Sequence, residues 1–306
     1  MSAVPGFRAG TVALVGPPNA GKSTLLNALL GEKLAIVAPR PQTTRRTLRG
    51  VLALPNAQAV LVDTPGLLEG SNSLEWGMRQ QAMQAIKDAD LVLALVSRDT
   101  AKAWLGTSAP RLPRDRSLVI ATKCDEGGDK VGLELARSTA NALGVKNFLA
   151  ISALKKRNLG PLVAHILAAL PEGEALYDDD QLTDTTLRVA AAEIIREKVL
   201  LVCRDEVPHA VAVGVDQYTE REDGLHSILA TIYVERESQK GIVIGAGGER
   251  LKLIGTRARQ DMEKLAQAKV FLKLWVKVAK DWKQNPSFLK ELGYPSGKKP
   301  DASKSR

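Results

Sequence analysis

Gly16-Pro17-Pro18-Asn19-Ala20-Gly21-Lys22-Ser23 sets two glycines, a lysine and a hydroxyl at the spacing G-x-x-x-x-G-K-[ST], with Thr24 following. The glycines let a backbone curl until successive N–H groups point inward, which is a cradle for phosphate. An apolar stretch precedes the motif and a helix-like stretch follows it. A helix N-terminus there adds partial positive charge. In such a loop the lysine reaches the outer phosphates of a nucleoside triphosphate, and the serine hydroxyl can ligate Mg²⁺. A Gly-rich strand–helix turn with no ligand is the competing reading, and the flanking elements argue against it.

Three further clusters say which nucleotide. Asp63-Thr64-Pro65-Gly66 ends an apolar stretch, so a carboxylate can stand near the metal and the Gly66 N–H near a γ-phosphate, with Leu67 next in line. Thr122-Lys123-Cys124-Asp125 ends another. An aspartate there can accept two hydrogen bonds from guanine N1 and its exocyclic amine, a donor pair adenine lacks, while the Lys123 stem lies over the base. Ser152-Ala153-Leu154 follows a third, where a backbone N–H can meet guanine O6. Each cluster is common by itself. Four in order, each after a strand, specify GTP rather than ATP.

The set resembles the translation-factor-type P-loop GTPases, with Thr122 where most of them carry Asn. The resemblance places a switch threonine within Pro41-Gln42-Thr43-Thr44-Arg45-Arg46, to complete the Mg²⁺ shell when γ-phosphate is present. Thr44 is the choice and Thr43 the alternative. Catalysis would then involve Lys22, Thr44, Gly66 and Asn19, and the metal Ser23, Thr44 and Asp63. Leu67 cannot orient a water molecule, so slow intrinsic hydrolysis is expected. In GTPases with a similar loop, an asparagine at the place of Asn19 can help hold K⁺ against the phosphates. The alternative for Asn19 is a loop residue bonding its own backbone.

A second cluster lies far downstream. Ile244-Gly245-Ala246-Gly247-Gly248 follows the I-G-x-x-G pattern of KH domains, with Arg236, Lys240, Arg250 and Lys252 around it, and Arg257 and Arg259 further on. Such a loop joins two helices and admits a nucleic-acid backbone closely, because no side chain intervenes. Gly247 stands where a lysine is common, which removes one phosphate contact.

The elements that must hold these groups read as two sets. Residues 1–172 alternate strand-like and helix-like segments, an α/β domain with a mostly parallel sheet. Strands are expected at Thr11–Val15, Leu91–Val96, Ser117–Thr122 and Asn147–Ile151, with a hairpin of Leu48–Leu54 and Gln58–Asp63. Helices are expected at Lys22–Leu30, Glu75–Ala89, Lys130–Leu143 and Asn158–Leu170. Residues 173–183 read as an acidic linker. Residues 184–295 read as an α+β domain. Its helix is Thr185–Cys203, capped by Asp184 or Thr185. Its strands are Ala210–Thr219, Leu225–Glu235 and Val270–Val278, with a helix of about Glu249–Ala268 after the glycines. Residues 296–306 read as a disordered tail. Trp275 reads as core rather than as a stacking platform, and His165, His209 and His226 as structural.

The chain has 306 residues, 44% hydrophobic and 25% charged, with two cysteines. That composition excludes a collagenous or mainly disordered chain. Two cysteines and no secretion-type leader suggest a reducing, cytoplasmic setting. No apolar run approaches the ~20 residues of a membrane span. Net charge is +9, but residues 236–306 alone carry 17 basic and 7 acidic side chains. A basic excess confined to one stretch suggests a polyanionic partner.

A GTPase followed by a type II KH domain resembles the Era family of ribosome-assembly GTPases over nearly the whole chain. The resemblance includes Ala192–Lys198, Val234–Lys240 and Leu274–Val278. It implies binding near the 3′ end of 16S rRNA, a role in 30S subunit assembly, Mg²⁺ and GTP or GDP as ligands, K⁺ as a further ion, a monomer, and peripheral contact with the inner membrane. The alternative is a membrane-signalling GTPase whose basic domain binds lipid or protein.

Overall fold

In the computed structural model, residues 6–38, 42–67, 69–104, 110–178, 181–203 and 207–298 are described. Pro41 and the tail beyond Lys298 lie outside them. The chain divides into two compact units. One comprises residues 1–35, 44–184 and 295–306, the other residues 36–43 and 185–294.

The first unit runs β1 (Arg8–Val15), α1 (Lys22–Leu30), β2 (Leu48–Leu54), β3 (Ala57–Asp63), α2 (Ser73–Asp88), β4 (Leu91–Val96), α3 (Ala101–Trp104), β5 (Ser117–Ala121), α4 (Asp129–Leu143), β6 (Asn147–Ala150) and α5 (Leu159–Ala169). The sheet order is β2-β3-β1-β4-β5-β6. Only the β2–β3 pair is antiparallel. β4 and β5 are buried at every position, as continuous apolar strands covered on both faces must be. Alternation sorts their side chains. Leu14, Leu61, Leu93 and Ile120 pack with Leu25 and Leu162, from α1 and α5. Val15, Val92, Ala94 and Val119 pack with Ala82, Ile86 and Ala136, from α2 and α4. The carboxyl ends of β1, β3, β5 and β6 thus share one edge of a doubly wound sheet, where such folds bind ligands.

The described residues of the expected linker, 173–178 and 181–183, bond to β2 and β3. Buried Gln58 accepts from the N–H groups of Leu176 and Tyr177 at 2.7 and 2.9 Å. The Val51 N–H donates to the Leu182 carbonyl at 2.9 Å, and the Thr183 hydroxyl to the Arg49 carbonyl at 2.7 Å. The start of the expected tail is also held. The Gly297 N–H donates to the Ser73 carbonyl at 2.9 Å, and the Ser73 hydroxyl to the Gly297 carbonyl at 3.1 Å.

The second unit runs α6 (Leu187–Val202), α7 (Val207–Ala210), β7 (Ala212–Glu220), β8 (His226–Val234), α8 (Glu237–Ile244), α9 (Glu249–Ala266), β9 (Val270–Val278) and α10 (Pro286–Glu291). The sheet order is β7-β8-β9, antiparallel then parallel. The α8–α9 pair supplies the crossover that a parallel pair requires. Thr186, not Asp184 or Thr185, caps α6, accepting from the Val189 N–H. Trp275 is not core. It alternates outward with Phe271, Lys273 and Lys277 and is 36% exposed, with Lys273 Nζ 5.0 Å from the ring centre. Alternation gives the strand but not which face is covered. His226 Nδ1 lies 2.7 Å from the Tyr218 hydroxyl, a structural bond.

Candidate functional sites

Gly16 and Gly21 shape the first loop. Gly21 has φ 88° and starts α1 with no side-chain cap, so the first N–H groups of the helix stay available to a ligand. A Cβ on Gly16 would come 2.4 Å from the Leu95 carbonyl oxygen. Lys22 Nζ donates to the carbonyls of Gly16 and Pro17 at 3.1 and 2.9 Å. Burial lowers its pKa to about 8, against the opposing pull of Asp63. Asn19 is exposed, with φ 64°.

Three oxygens converge beside this loop. Ser23 Oγ donates to Asp63 Oδ2 at 2.6 Å. Thr44 Oγ1 lies 2.8 Å from Ser23 Oγ and 3.3 Å from Asp63 Oδ2. Thr43 turns elsewhere, its hydroxyl donating to the Ala38 carbonyl at 3.3 Å. Of the two threonines, Thr44 is the one whose hydroxyl stands beside Ser23 and Asp63. Asp63 is fully buried, which raises its pKa although Lys22, Ser23 and Thr44 oppose the shift. Its Oδ1 is buried with no hydrogen-bond partner. An orphaned carboxylate oxygen beside two hydroxyls is a hard, all-oxygen set, and it fits Mg²⁺.

Gly66 sits against the phosphate loop, where an added Cβ would lie 2.7 Å from the Pro18 nitrogen. The Thr64 hydroxyl donates to the Leu14 carbonyl at 2.8 Å. The Leu67 N–H donates to the Gly16 carbonyl at 3.0 Å while its side chain is buried. Asn27, which no motif marked, accepts from the N–H groups of Leu34 and Ala35 at 3.0 and 2.8 Å and donates back to the Ala35 carbonyl. It fixes the chain's exit from α1.

The base loops are joined to the phosphate loop. The Thr122 hydroxyl donates to the Ala20 carbonyl at 2.8 Å. Lys123 is left-handed at φ 57°, with Nζ 3.5 Å from Asp99. Ser152 donates to Asp125 Oδ1 at 2.5 Å. That bond chiefly holds the Asp125 pKa below the ordinary carboxylate value. Ser152 is buried, Ala153 half-buried and Leu154 exposed. Cys124 is buried and its thiol pKa raised, chiefly by burial.

In the other unit α8 ends at Gly245, which has φ 76°, and α9 begins after Gly248, which has φ 82°. Gly247 is also left-handed, at φ 57°. A Cβ on Gly247 or Gly248 would meet nothing within 4 Å. The 18-residue α9 has no side-chain cap; its first N–H, that of Glu249, bonds the Ala246 carbonyl, and no side chain caps the rest of the first turn, as a phosphate contact needs. Ala246 is exposed and Ile244 half-buried; Arg236 and Lys252 are exposed. Two of the expected basic contacts are committed locally. Arg250 donates to the Ile242 carbonyl, folding back on the loop, and Lys240 pairs with Glu237 at 3.6 Å.

Comparison with known proteins matches each of the two domains to a family. A family model described as a 50S ribosome-binding GTPase matches residues 11–121, and a KH domain model matches residues 206–283. GTPase Era of Ruminiclostridium cellulolyticum is 42% identical over 295 residues, 95% of this chain and 99% of the relative. That of Geobacter metallireducens is 44% identical over 298 residues, 94% and 98%. Among solved structures, Era in complex with MgGDPNP and nucleotides 1506–1542 of 16S ribosomal RNA superposes with a TM-score of 0.88 at 39% identity, covering 94% of this chain and 99% of that one. An Aquifex aeolicus Era variant bound to GDP and AlF₄⁻ gives 0.87 at 38%, covering 94% and 100%. With such identity along nearly the full length of each relative, the chain belongs to the GTPase Era family.

Proposed function

We propose that this GTPase is a switch whose 184–295 domain binds the 3′-terminal region of 16S rRNA during 30S assembly, under control of the nucleotide held by residues 1–172. The observation that carries the RNA reading is the open Gly247–Gly248 loop at the start of α9, which no side chain caps. It is supported by the relative seen with 16S nucleotides 1506–1542.

Each step of the nucleotide cycle falls to a residue already placed. Asp125, kept ionised by Ser152, accepts from guanine. Lys22 exchanges its two loop carbonyls for phosphate oxygens. Ser23, Thr44 and Asp63 would hold Mg²⁺, which when bound supplies positive charge to the phosphate oxygens. The Gly66 N–H answers the γ-phosphate, and its loss frees the segment. Leu67, apolar and buried, cannot orient the attacking water, so intrinsic turnover is slow. Asn19 is the residue to help hold K⁺. Hydrolysis is then about tenfold or more faster in K⁺ than in Na⁺, and Asn19→Ala removes the difference. Equal rates in the two salts would take K⁺ out of the reading.

The deciding experiment is binding of a labelled RNA matching the 3′ end of 16S rRNA, with the protein loaded with a non-hydrolysable GTP analogue and then with GDP. Tight binding that weakens in GDP is the expected result. Equal binding would keep the RNA target and remove the coupling. No binding in either state, with intact GTP binding, would turn the basic unit towards lipid or protein partners.

A further inference from the structure

The loop that joins β6 to α5 carries two left-handed residues that are not glycine, Lys156 at φ 52° and Asn158 at φ 57°. An L side chain is disfavoured there, and such residues persist where the surrounding structure holds them. Here the hold is a closed neck. The Ser152 N–H donates to the Arg157 carbonyl at 3.3 Å, and the Arg157 N–H to the Ser152 carbonyl at 2.9 Å. Next along the chain, the exposed Asn158 donates through its side-chain amide to the Ala150 carbonyl, the last of β6, at 2.8 Å.

The neck presents the hydroxyl that meets the base loop. Ser152 Oγ accepts from the Lys155 N–H at 3.1 Å, so its one proton is left for Asp125 Oδ1, to which it donates. On the other side, the Ile151 N–H donates to the Ala121 carbonyl at 2.8 Å, and the Ile151 carbonyl accepts from the Cys124 N–H at 3.2 Å. Residues 150–152 are therefore held between the base loop and residues 157–158. Position 158 asks for a positive φ and a donor together. Glycine gives the first without the second. Aspartate also tolerates that region but would set a carboxylate against a carbonyl oxygen. Asparagine supplies both.

We propose that Asn158 is a positioning residue for guanine recognition. Its amide closes the loop on Ala150, Ser152 keeps its proton on Asp125, and Asp125 keeps one orientation towards the base. The proposal rests on the reading of Asp125 as the acceptor of guanine N1 and the exocyclic amine.

The test is calorimetry of GDP and of inosine diphosphate, which lacks the exocyclic amine, on the full-length protein. The ratio of the two affinities reads the carboxylate's bond to that amine and not the strength of phosphate binding. A bond to a charged acceptor makes the ratio about tenfold or more in the wild type. Asn158→Gly keeps the backbone conformation and removes the amide. It is expected to weaken GDP about fivefold and inosine diphosphate by less than about twofold, with Asn158→Asp behaving alike. Ser152→Ala lowers the ratio at least as far, and Asn158→Gly lowers it no further in that background. An unchanged ratio in Asn158→Gly, equal losses of both nucleotides, or reductions that add in the double variant would overturn the proposal. Asp125→Ala is the control for the reading beneath it and should abolish the preference for GDP. If it leaves the ratio intact, the reading of Asp125 fails first, and the positioning role falls with it. If Asn158→Gly does not fold, Asn158→Asp decides by the same criteria.

Discussion

Asp125 shows how far a single residue can be read. Its chemistry was legible from type and position, since a carboxylate after a buried strand can accept two hydrogen bonds from guanine. What was not legible is Ser152, whose hydroxyl holds that carboxylate ionised, because the two loops meet only through the order of the sheet. Charge-assisted bonds contribute about 1.5–3 kcal/mol each. Asp125→Ala is therefore expected to weaken GDP binding by ~100-fold or more by calorimetry, with the unfolding midpoint unchanged; affinity within twofold of wild type would contradict the assignment. Lys22 carries a second expectation. Burial holds its pKa at about 8, below the ordinary value, whereas bound phosphate favours the ammonium form. Binding must then take up protons near and above pH 8. GDP affinity should fall as pH rises past 8. Calorimetry of GDP binding in buffers of different ionisation enthalpy checks this, and zero uptake at pH 8 would show that the lysine is already charged.

Among the elements, the strands were the most legible, because a strand buried on both faces must be continuously apolar. β4 is found at the residues that pattern marks. Helix ends were less so. α6 begins after Thr186 because that hydroxyl, rather than the neighbouring Asp184 or Thr185, reaches a free N–H. The outward Trp275 could not be read, since alternation is the same whichever face is covered. The closest packing also left no trace in the sequence. α4 crosses the base loop at Gly132, where a Cβ would come 2.3 Å from Cys124 Sγ and 3.2 Å from its Cβ. Overpacking of this kind costs about 1–3 kcal/mol. Gly132→Ala should lower the unfolding midpoint and weaken guanine nucleotides together, and Cys124→Ala in the same chain should restore most of both. Failure of that rescue would mean that the glycine serves the helix rather than the loop.

At the scale of the whole molecule, composition separated a basic carboxyl-terminal stretch from the rest, and the change of pattern near residue 184 coincides with the border between the two compact units. Composition could not show that residues 36–43 are grouped with the second unit, because that depends on buried bonds to α6. Nor could it show the path of residues 181–184, and that path bears on solubility. β2 is an outer strand of the six-stranded sheet. Seven residues of open strand edge are a template for pairing with another chain. Leu182 and Thr183 occupy backbone groups of Val51 and Arg49 on that strand, and Asp184 pairs with Arg49 at 3.0 Å. The stretch is thus a guard against edge-to-edge association. A fragment ending at Pro171 should self-associate in sedimentation, whereas one ending at Asp184 should stay monodisperse. If both behave alike, the edge is kept from pairing by some other means. The end of the nucleotide-binding unit, judged by what keeps its molecules apart, then lies fifteen residues beyond its last helix.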